Sequence, residues 1–307
     1  MHHEYALNPE CVNDFKTFKN LIDQCGFQHG RLISGFPSDW IKKVAEVCKL
    51  PPVKRKTIFE KTLRNIKKIM VSSAREYNRG TDWLRNAEQQ HEIKPFHAII
   101  SLENPRNHEK IIIAEEIDST NDLWHVPREK IVPRKAQDLA LCAKKLLNES
   151  RDILLVDRNF NPELPRFVNT LNILINYALE KHHQPRRLEL HVEYKESKKE
   201  ISPPKEMWAE RCHGNLSGCL PENAQLMIFR WRRKDDGDKL HPRYVLTEHG
   251  GIRFEYGLDE WEGEGQTTDV SLLGQSVYEQ RWREYQQETA AFDLVDEIVI
   301  TGIKESL

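Results

Sequence analysis

Apolar residues recur at helical spacing through the first quarter of the chain. In VNDFKTFKNLIDQ (12–24), Phe15, Phe18, Leu21 and Ile22 share a face, and Asn13 is placed to cap the run. The segment 26–40 is broken by glycines and by Pro37. DWIKKVAEVCKL (39–50) then repeats the period at Trp40, Val44 and Val47, with Ser38 or Asp39 as cap, and Pro51-Pro52 ends it. A third helix is predicted over 57–77, turning Ile58, Leu63, Ile66, Ile69 and Met70 toward a core. The period changes at His97. FHAIISL (96–102) and KIIIAEEI (110–117) are short, β-branched and separated by the turn-rich ENPRNHE, which predicts a β-hairpin.

The second half alternates strand and helix. A helix is predicted over 135–150, followed by a buried strand, DILLVDRNF, whose four apolar residues run up to Asp157. An amphipathic helix starts near Pro165, a strand covers RRLELHVEY, a short helix PPKEMWAERCH, and a strand AQLMIFRWRR. PRYVLTE and GIRFEYG form a pair around His249-Gly250, followed by a helix at SVYEQRWREYQ and a last strand at DEIVITGI. The order predicts an α/β fold in two parts. Residues 1–135 form a mainly helical, basic domain with a hairpin, and residues 136–307 an α/β sandwich with a mixed sheet.

The composition, 38% hydrophobic and 31% charged over 307 residues, is that of a globular chain, with no run long enough to cross a bilayer. The N-terminus lacks the pattern of a signal peptide, so a cytoplasmic location is expected. The six cysteines show no C-x-x-C spacing and read as reduced. Cys212, His213, Cys219 and the His182-His183 pair fit no usual zinc template, and no metal or other cofactor is expected.

Net charge is only −2, yet Lys42 to Arg85 holds thirteen Lys or Arg against four Asp or Glu, a local balance of +9. Lys54, Arg55, Lys56, Arg64, Lys67 and Lys68 carry much of it. Such a segment is either a nucleic-acid-binding face, gaining affinity by counterion release, or a solvated helix surface. Arg232 and Arg233 add a second basic spot before the hairpin, where they either meet nucleic acid or end an exposed strand.

The hairpin itself, LHPRYVLTEHGGIRFEYGLDE (240–260), carries the candidate chemistry. Residues i and i+2 of a strand share a face, so His241 and Arg243 are expected to point into one pocket. There an imidazole could attack phosphorus while a guanidinium holds the nonbridging oxygens. Glu248 or Asp157 is a candidate to orient the ring. The alternative is a polar hairpin in which Arg243 pairs with an acid from 255–264.

The spacing His241-x-Arg243-x-x-x-x-Glu248 resembles the H-x-K-x-x-x-x-D signature of the phospholipase D superfamily. The resemblance spans about residues 150–303. The same stretch is similar to the C-terminal phospholipase-D-like domain of microtubule-interacting-and-trafficking proteins and to a hairpin in bacterial proteins. Arg243 replaces the superfamily's lysine and Glu248 its aspartate, and EYGLDE stands where a G-S-x-N element is found. The resemblance implies a metal-independent phosphodiesterase with a phosphohistidine on His241, Arg243 as phosphate clamp, and a homodimer pairing two copies of His241. A nuclease in bacterial antiviral defence or nucleic-acid processing is the expected role, with DNA ahead of RNA and a partner ATPase or helicase possible. The other reading is a non-catalytic adaptor that holds nucleic acid, a phosphoinositide-like headgroup or a partner protein. A third constellation, Asp157 with Glu193-Tyr194-Lys195, has the D…E-x-K order of metal-dependent nucleases.

Overall fold

The computed structural model describes residues 1–13, 15–47, 66, 68–181, 185–197, 200–240 and 243–303. The chain divides into two compact units, His2–Arg128 and Glu129–Leu307, with Met1 counted with the second.

The first unit is built on five strands: β1 (His3–Leu7), β2 (Arg31–Ser34), β3 (Met70–Val71), β4 (Ala98–Ser101) and β5 (Ile111–Ile113). Their order is β3-β2-β1-β4-β5, and every neighbouring pair is parallel. Helices α1 (Phe15–Asp23), α2 (Trp40–Val47) and α3 (Trp83–Ile93) complete it among the described residues. The sheet is buried on both faces. Tyr5, Leu7, Ile33, Ile100 and Ile112 meet Phe18, Leu21, Trp40 and Val44 on one side, while Ala6, Ile99 and Ile111 meet Phe36, Trp83 and Leu84 on the other.

This double burial corrects the reading of a mainly helical domain with a hairpin. The segments 96–102 and 110–117 do supply adjacent strands, but β5 runs parallel to β4, because residues 102–110 carry the chain back along the sheet instead of folding it onto β4. A strand covered on both faces shows no apolar-polar alternation, which is also why β1 and β2 leave so little trace in the pattern. Within the helix expected over 57–77, Met70 and Val71 are in a strand, paired with Ile33 and Ser34. Lys54, Arg55, Lys56, Arg64 and Lys67 lie outside the described residues, and Lys68 is exposed in the turn before β3.

The second unit carries an eight-stranded sheet. Its elements are β6 (Glu129–Pro133), α4 (Ala136–Asn148), β7 (Asp152–Val156), α5 (Pro165–Lys181), β8 (Arg187–Glu193), α6 (Lys205–Leu216), β11 (Gln225–Arg232), β12 (Arg243–Thr247), β13 (Gly250–Phe254), β14 (Thr267–Leu272), α7 (Gln275–Glu284) and β15 (Asp293–Thr301). A two-stranded ribbon, β9 (Glu196–Ser197) and β10 (Glu200–Ile201), follows β8. The sheet order is β15-β11-β8-β7-β12-β13-β14-β6; β7, β8 and β11 are parallel, and the other pairings are antiparallel. The α/β class with a mixed sheet is therefore as the pattern predicts. Residues 129–135 belong to this unit, since β6 pairs with β14, so the division falls seven residues before the expected one. Leu154 and Val156 join Phe229, Trp231, Tyr244, Leu246, Tyr278 and Tyr285 in one core, while Ile153 and Leu155, equally buried, face the other way. Among the described residues, no helix is long and apolar enough to cross a membrane.

The β12–β13 hairpin depends on Gly251, paired with Leu246. A Cβ there would lie 2.7 Å from Leu246 Cδ2 and 2.8 Å from Leu273 Cδ1, both in buried side chains. Overpacking of this kind costs about 1–3 kcal/mol. Gly251→Ala is expected to lower unfolding stability by about that amount in a urea titration, with an unchanged m-value.

Candidate anion-binding site

Strand β7 ends inside the protein, and the next residue, Asp157, is 1% exposed. A buried carboxylate must be hydrogen-bonded, and Asp157 takes two backbone donors: Asn159 N–H to Oδ1 at 3.0 Å and Leu258 N–H to Oδ2 at 2.8 Å. The first closes the turn after β7. The second ties that turn to the loop after β13. Antiparallel pairing of Tyr244 with Val156 starts β12 at the same end of the sheet, so Arg243 stands beside Asp157, Nε to Oδ1 at 3.9 Å, and its Nη1 donates to the Glu255 carbonyl at 3.2 Å.

Two more guanidinium groups arrive from other elements. Arg134, just after β6, donates from Nη2 to Asp259 Oδ1 at 3.0 Å and lies 5.6 and 5.7 Å from the rings of Tyr256 and Trp261. Arg166, the second residue of α5, has Nε 3.6 Å from Asp259 Oδ2. A cleft of about 330 Å³ opens here, its polar wall made by Arg134, Asn159, Arg166, Lys195, Arg243 and Tyr256. Four cationic side chains line it against two carboxylates, Asp259 and Glu200, the latter 2.9 Å from Lys195 Nζ.

The Nε–H groups of Arg134, Arg166 and Arg243 are buried and have no hydrogen-bond partner among the described residues. Those of Arg166 and Arg243 face Asp259 and Asp157 at 3.6 and 3.9 Å, beyond hydrogen-bond distance, so three guanidinium groups line one cleft with donor capacity left for a ligand rich in acceptors. Guanidinium forks suit phosphate, sulfate or carboxylate oxygens. Burial pushes the Asp157 carboxyl up to about 6. The Leu258 and Asn159 N–H groups and Arg243 pull it down in part, and Asp259 adds to the rise.

The hairpin thus brings Arg243 beside Asp157, a residue expected from the sequence to orient the His241 ring. His241 lies outside the described residues. Glu248 is elsewhere: Thr247 pairs with Ile153, so Glu248 sits at the opposite end of β12, five residues or roughly 17 Å from Arg243. Its carboxylate accepts the N–H groups of Arg151 and Asp152 at 2.8 and 3.1 Å, a backbone clasp at the start of β7 that leaves it no role in orienting a group beside Arg243. Arg232 and Arg233 are exposed beyond this cleft's lining. Arg232 is 3.3 Å from Glu196, and Arg233 Nε donates to the Gly237 carbonyl. Of the Glu193-x-Lys195 pair, Lys195 lines the cleft, while Glu193 is engaged 3.2 Å from Arg158.

Arg134, Arg166, Asn159 and Asp259 were not singled out as ligands from the sequence. One signal was available for Arg166, because a cation in the first turn of a helix opposes the helix dipole and needs a compensating partner. Here Asp259 provides it.

No family model matches this chain, and no curated protein matches it. Among solved structures, the chain is similar to TrmBL2, titled as an archaeal chromatin protein that shows a novel mode of DNA binding. Sequence identity is 14% and the TM-score 0.28, with 60% of this chain covering 59% of that one. A likeness at that level carries no argument about this protein.

Two outcomes follow from the geometry. Glu248→Ala is expected to cost about 1–2 kcal/mol of stability through its two lost backbone partners, while sulfate binding in the cleft, measured by calorimetry, stays unchanged. A bound sulfate dianion disfavours the charged form of Asp157 and so raises its pKa above the free value of about 6; the complex therefore takes up a proton. Sulfate affinity should rise as pH falls from 8 toward 6 and level off below that, and Asp157→Asn should flatten the profile.

Proposed function

We propose that the second unit is a phospholipase-D-like phosphodiesterase acting on nucleic acid, with DNA preferred over RNA. The observation that supports this reading best is the trio of guanidinium groups around the cleft at the start of β12, two residues beyond His241. In this reading Arg243 holds the nonbridging oxygens of the scissile phosphate, and Arg134 and Arg166 stabilise the charge that grows on them. His241 attacks phosphorus, a P–N bond forms as the P–O bond to the leaving nucleoside breaks, and a second copy of His241 supplied by a homodimer protonates the departing oxygen. Water then attacks the phosphohistidine, which gives a phosphate monoester and restores the imidazole. Asp157 acts beneath Arg243 as a positioning residue.

Arg243 in place of the superfamily's lysine is consistent with this role in binding, since guanidinium grips phosphate by two parallel hydrogen bonds. It also suits a protein that grips without cutting. One experiment separates the two. Labelled single- and double-stranded DNA and RNA are incubated with the full chain in EDTA, beside His241→Ala and Arg243→Ala. The expected result is cleavage of DNA that persists in chelator, disappears with His241→Ala and falls at least about 100-fold with Arg243→Ala. Salt-sensitive binding without cleavage, weakened by Arg243→Ala alone, would replace the enzyme by a phosphate-gripping adaptor.

A further inference from the structure

The first unit has a cleft of its own, in a position that its topology marks out. β2 and β3 lie on one side of β1, and the chain then crosses over to place β4 and β5 on the other. Open parallel sheets bind ligands outside the carboxyl ends of the two strands that flank such a reversal. The flanking strands here are β1 and β4, paired through Leu7 and Ile100. A cleft of about 600 Å³ opens at their ends, lined by Asn8, Pro9 and Glu10 after β1 and by Ser101, Leu102 and Glu103 at the end of β4.

Two buried polar side chains on its wall point to a ligand. Ser101 is 1% exposed, and its hydroxyl has no hydrogen-bond partner among the described residues. Asn8 is 7% exposed; its Oδ1 accepts the Glu10 N–H at 3.0 Å, which leaves its amide donors for the cleft.

The turn after β1 offers no backbone cradle for a phosphate. Sites of this topology hold anions on free backbone N–H groups at the turn after the first strand. Here Pro9 has no N–H, the Glu10 N–H is taken by Asn8 Oδ1, and the Cys11 N–H is taken by the Asn8 carbonyl at 3.0 Å. Among the described residues the cleft carries the carboxylates Glu10, Glu46, Asp82 and Glu103 against one cation, Lys43. Lys42 lies 4.0 Å from Glu46, and the Asp82 carboxylate caps α3 through the Arg85 N–H, so Glu10 and Glu103 are the acids least engaged. The Lys43 ammonium lies over the Tyr77 ring, 5.7 Å from its centre, so this one cation of the described lining is already engaged.

We infer that this cleft binds a small organic cation, an amine or guanidinium compound with a short apolar body. Its charged end would be held by Glu10 and Glu103, and its polar body by Ser101 and Asn8. The site is independent of the phosphodiester reading of the second unit.

The test is calorimetric titration of the full chain at low salt with agmatine, and with AMP as the anionic counterpart. The expected result is saturable agmatine binding at least about tenfold tighter than any AMP binding, weakened about tenfold in Glu10→Gln/Glu103→Gln and several-fold in Ser101→Ala. The double variant changes only exposed residues, and its melting temperature, measured alongside, should match that of the parent. Absence of saturable agmatine binding, tighter binding of AMP, or agmatine binding unchanged in the double variant would overturn the proposal.

Discussion

A single buried carboxylate organises the candidate site of the second unit. Asp157 is out of reach of water, and a charge there is tolerated only because two backbone N–H groups and a neighbouring guanidinium address it. Its two donors come from segments about a hundred residues apart in the chain, the turn after β7 and the loop after β13. Fixing Leu258 places Asp259 beside it, and Asp259 in turn receives Arg134 and Arg166. The next residues complete the join. Glu260 N–H donates to the Arg166 carbonyl, its carboxylate takes the Ala136 N–H and the Asn169 amide, and Trp261 N–H donates to the Arg134 carbonyl. Arginines from positions 134, 166 and 243 converge because one loop is pinned to the ends of β6, β7 and α5 together.

Such an arrangement is a poor way to gain stability. Burying charges costs several kcal/mol per ion before pairing, and well-packed apolar groups of similar volume often serve a fold as well or better. The pairing is also loose, since Asp259 is shared by two arginines and the Nε–H groups of Arg134, Arg166 and Arg243 make no hydrogen bond among the described residues. Preorganised donors that wait for charge are what recognition of an oxyanion requires, because they need not reorganise when it arrives. The raised pKa of Asp157 fits the same logic: the counter-charge beneath Arg243 weakens as an anion approaches, so the carboxylate does not cancel the guanidinium at the moment it is needed.

How much of this was legible in the sequence follows from which patterns a fold must write down. Helices with one buried face, such as 165–181, announced themselves by period, and the β12–β13 hairpin by the His249-Gly250 turn between two short runs, although both strands are almost wholly buried. The short strands β1 and β2 of the first sheet did not, and a parallel pair such as β4 and β5 looked like a hairpin because local sequence carries turn residues but not the direction of return. The His241-x-Arg243 spacing led to the correct strand end for Arg243, and apolar residues running up to Asp157 marked the end of β7. Glu248 was misassigned for a geometric reason: five residues along a strand is the full length of β12, so a motif read as one cluster spans both ends of the sheet. Arg134 and Arg166 were hidden because their convergence is set by tertiary hydrogen bonds of the 257–261 loop, which no local spacing encodes.

Each unit opens a cleft at the carboxyl end of a parallel strand, β1 and β4 in the first and β7 in the second, and among the described residues the two linings differ in sign of charge. In each, a side chain at the strand end takes one backbone N–H of the following turn: Asn8 that of Glu10 and Asp157 that of Asn159. Backbone donors are the usual means by which such turns attract phosphate, and once they are spent, selectivity passes entirely to the side chains that line the opening. The first unit sets Glu10 and Glu103 there, and the second sets Arg134, Arg166 and Arg243. A turn whose own amides are silent leaves the sign of the preferred ligand to be written by a few substitutions on the rim, without any change to the sheet beneath.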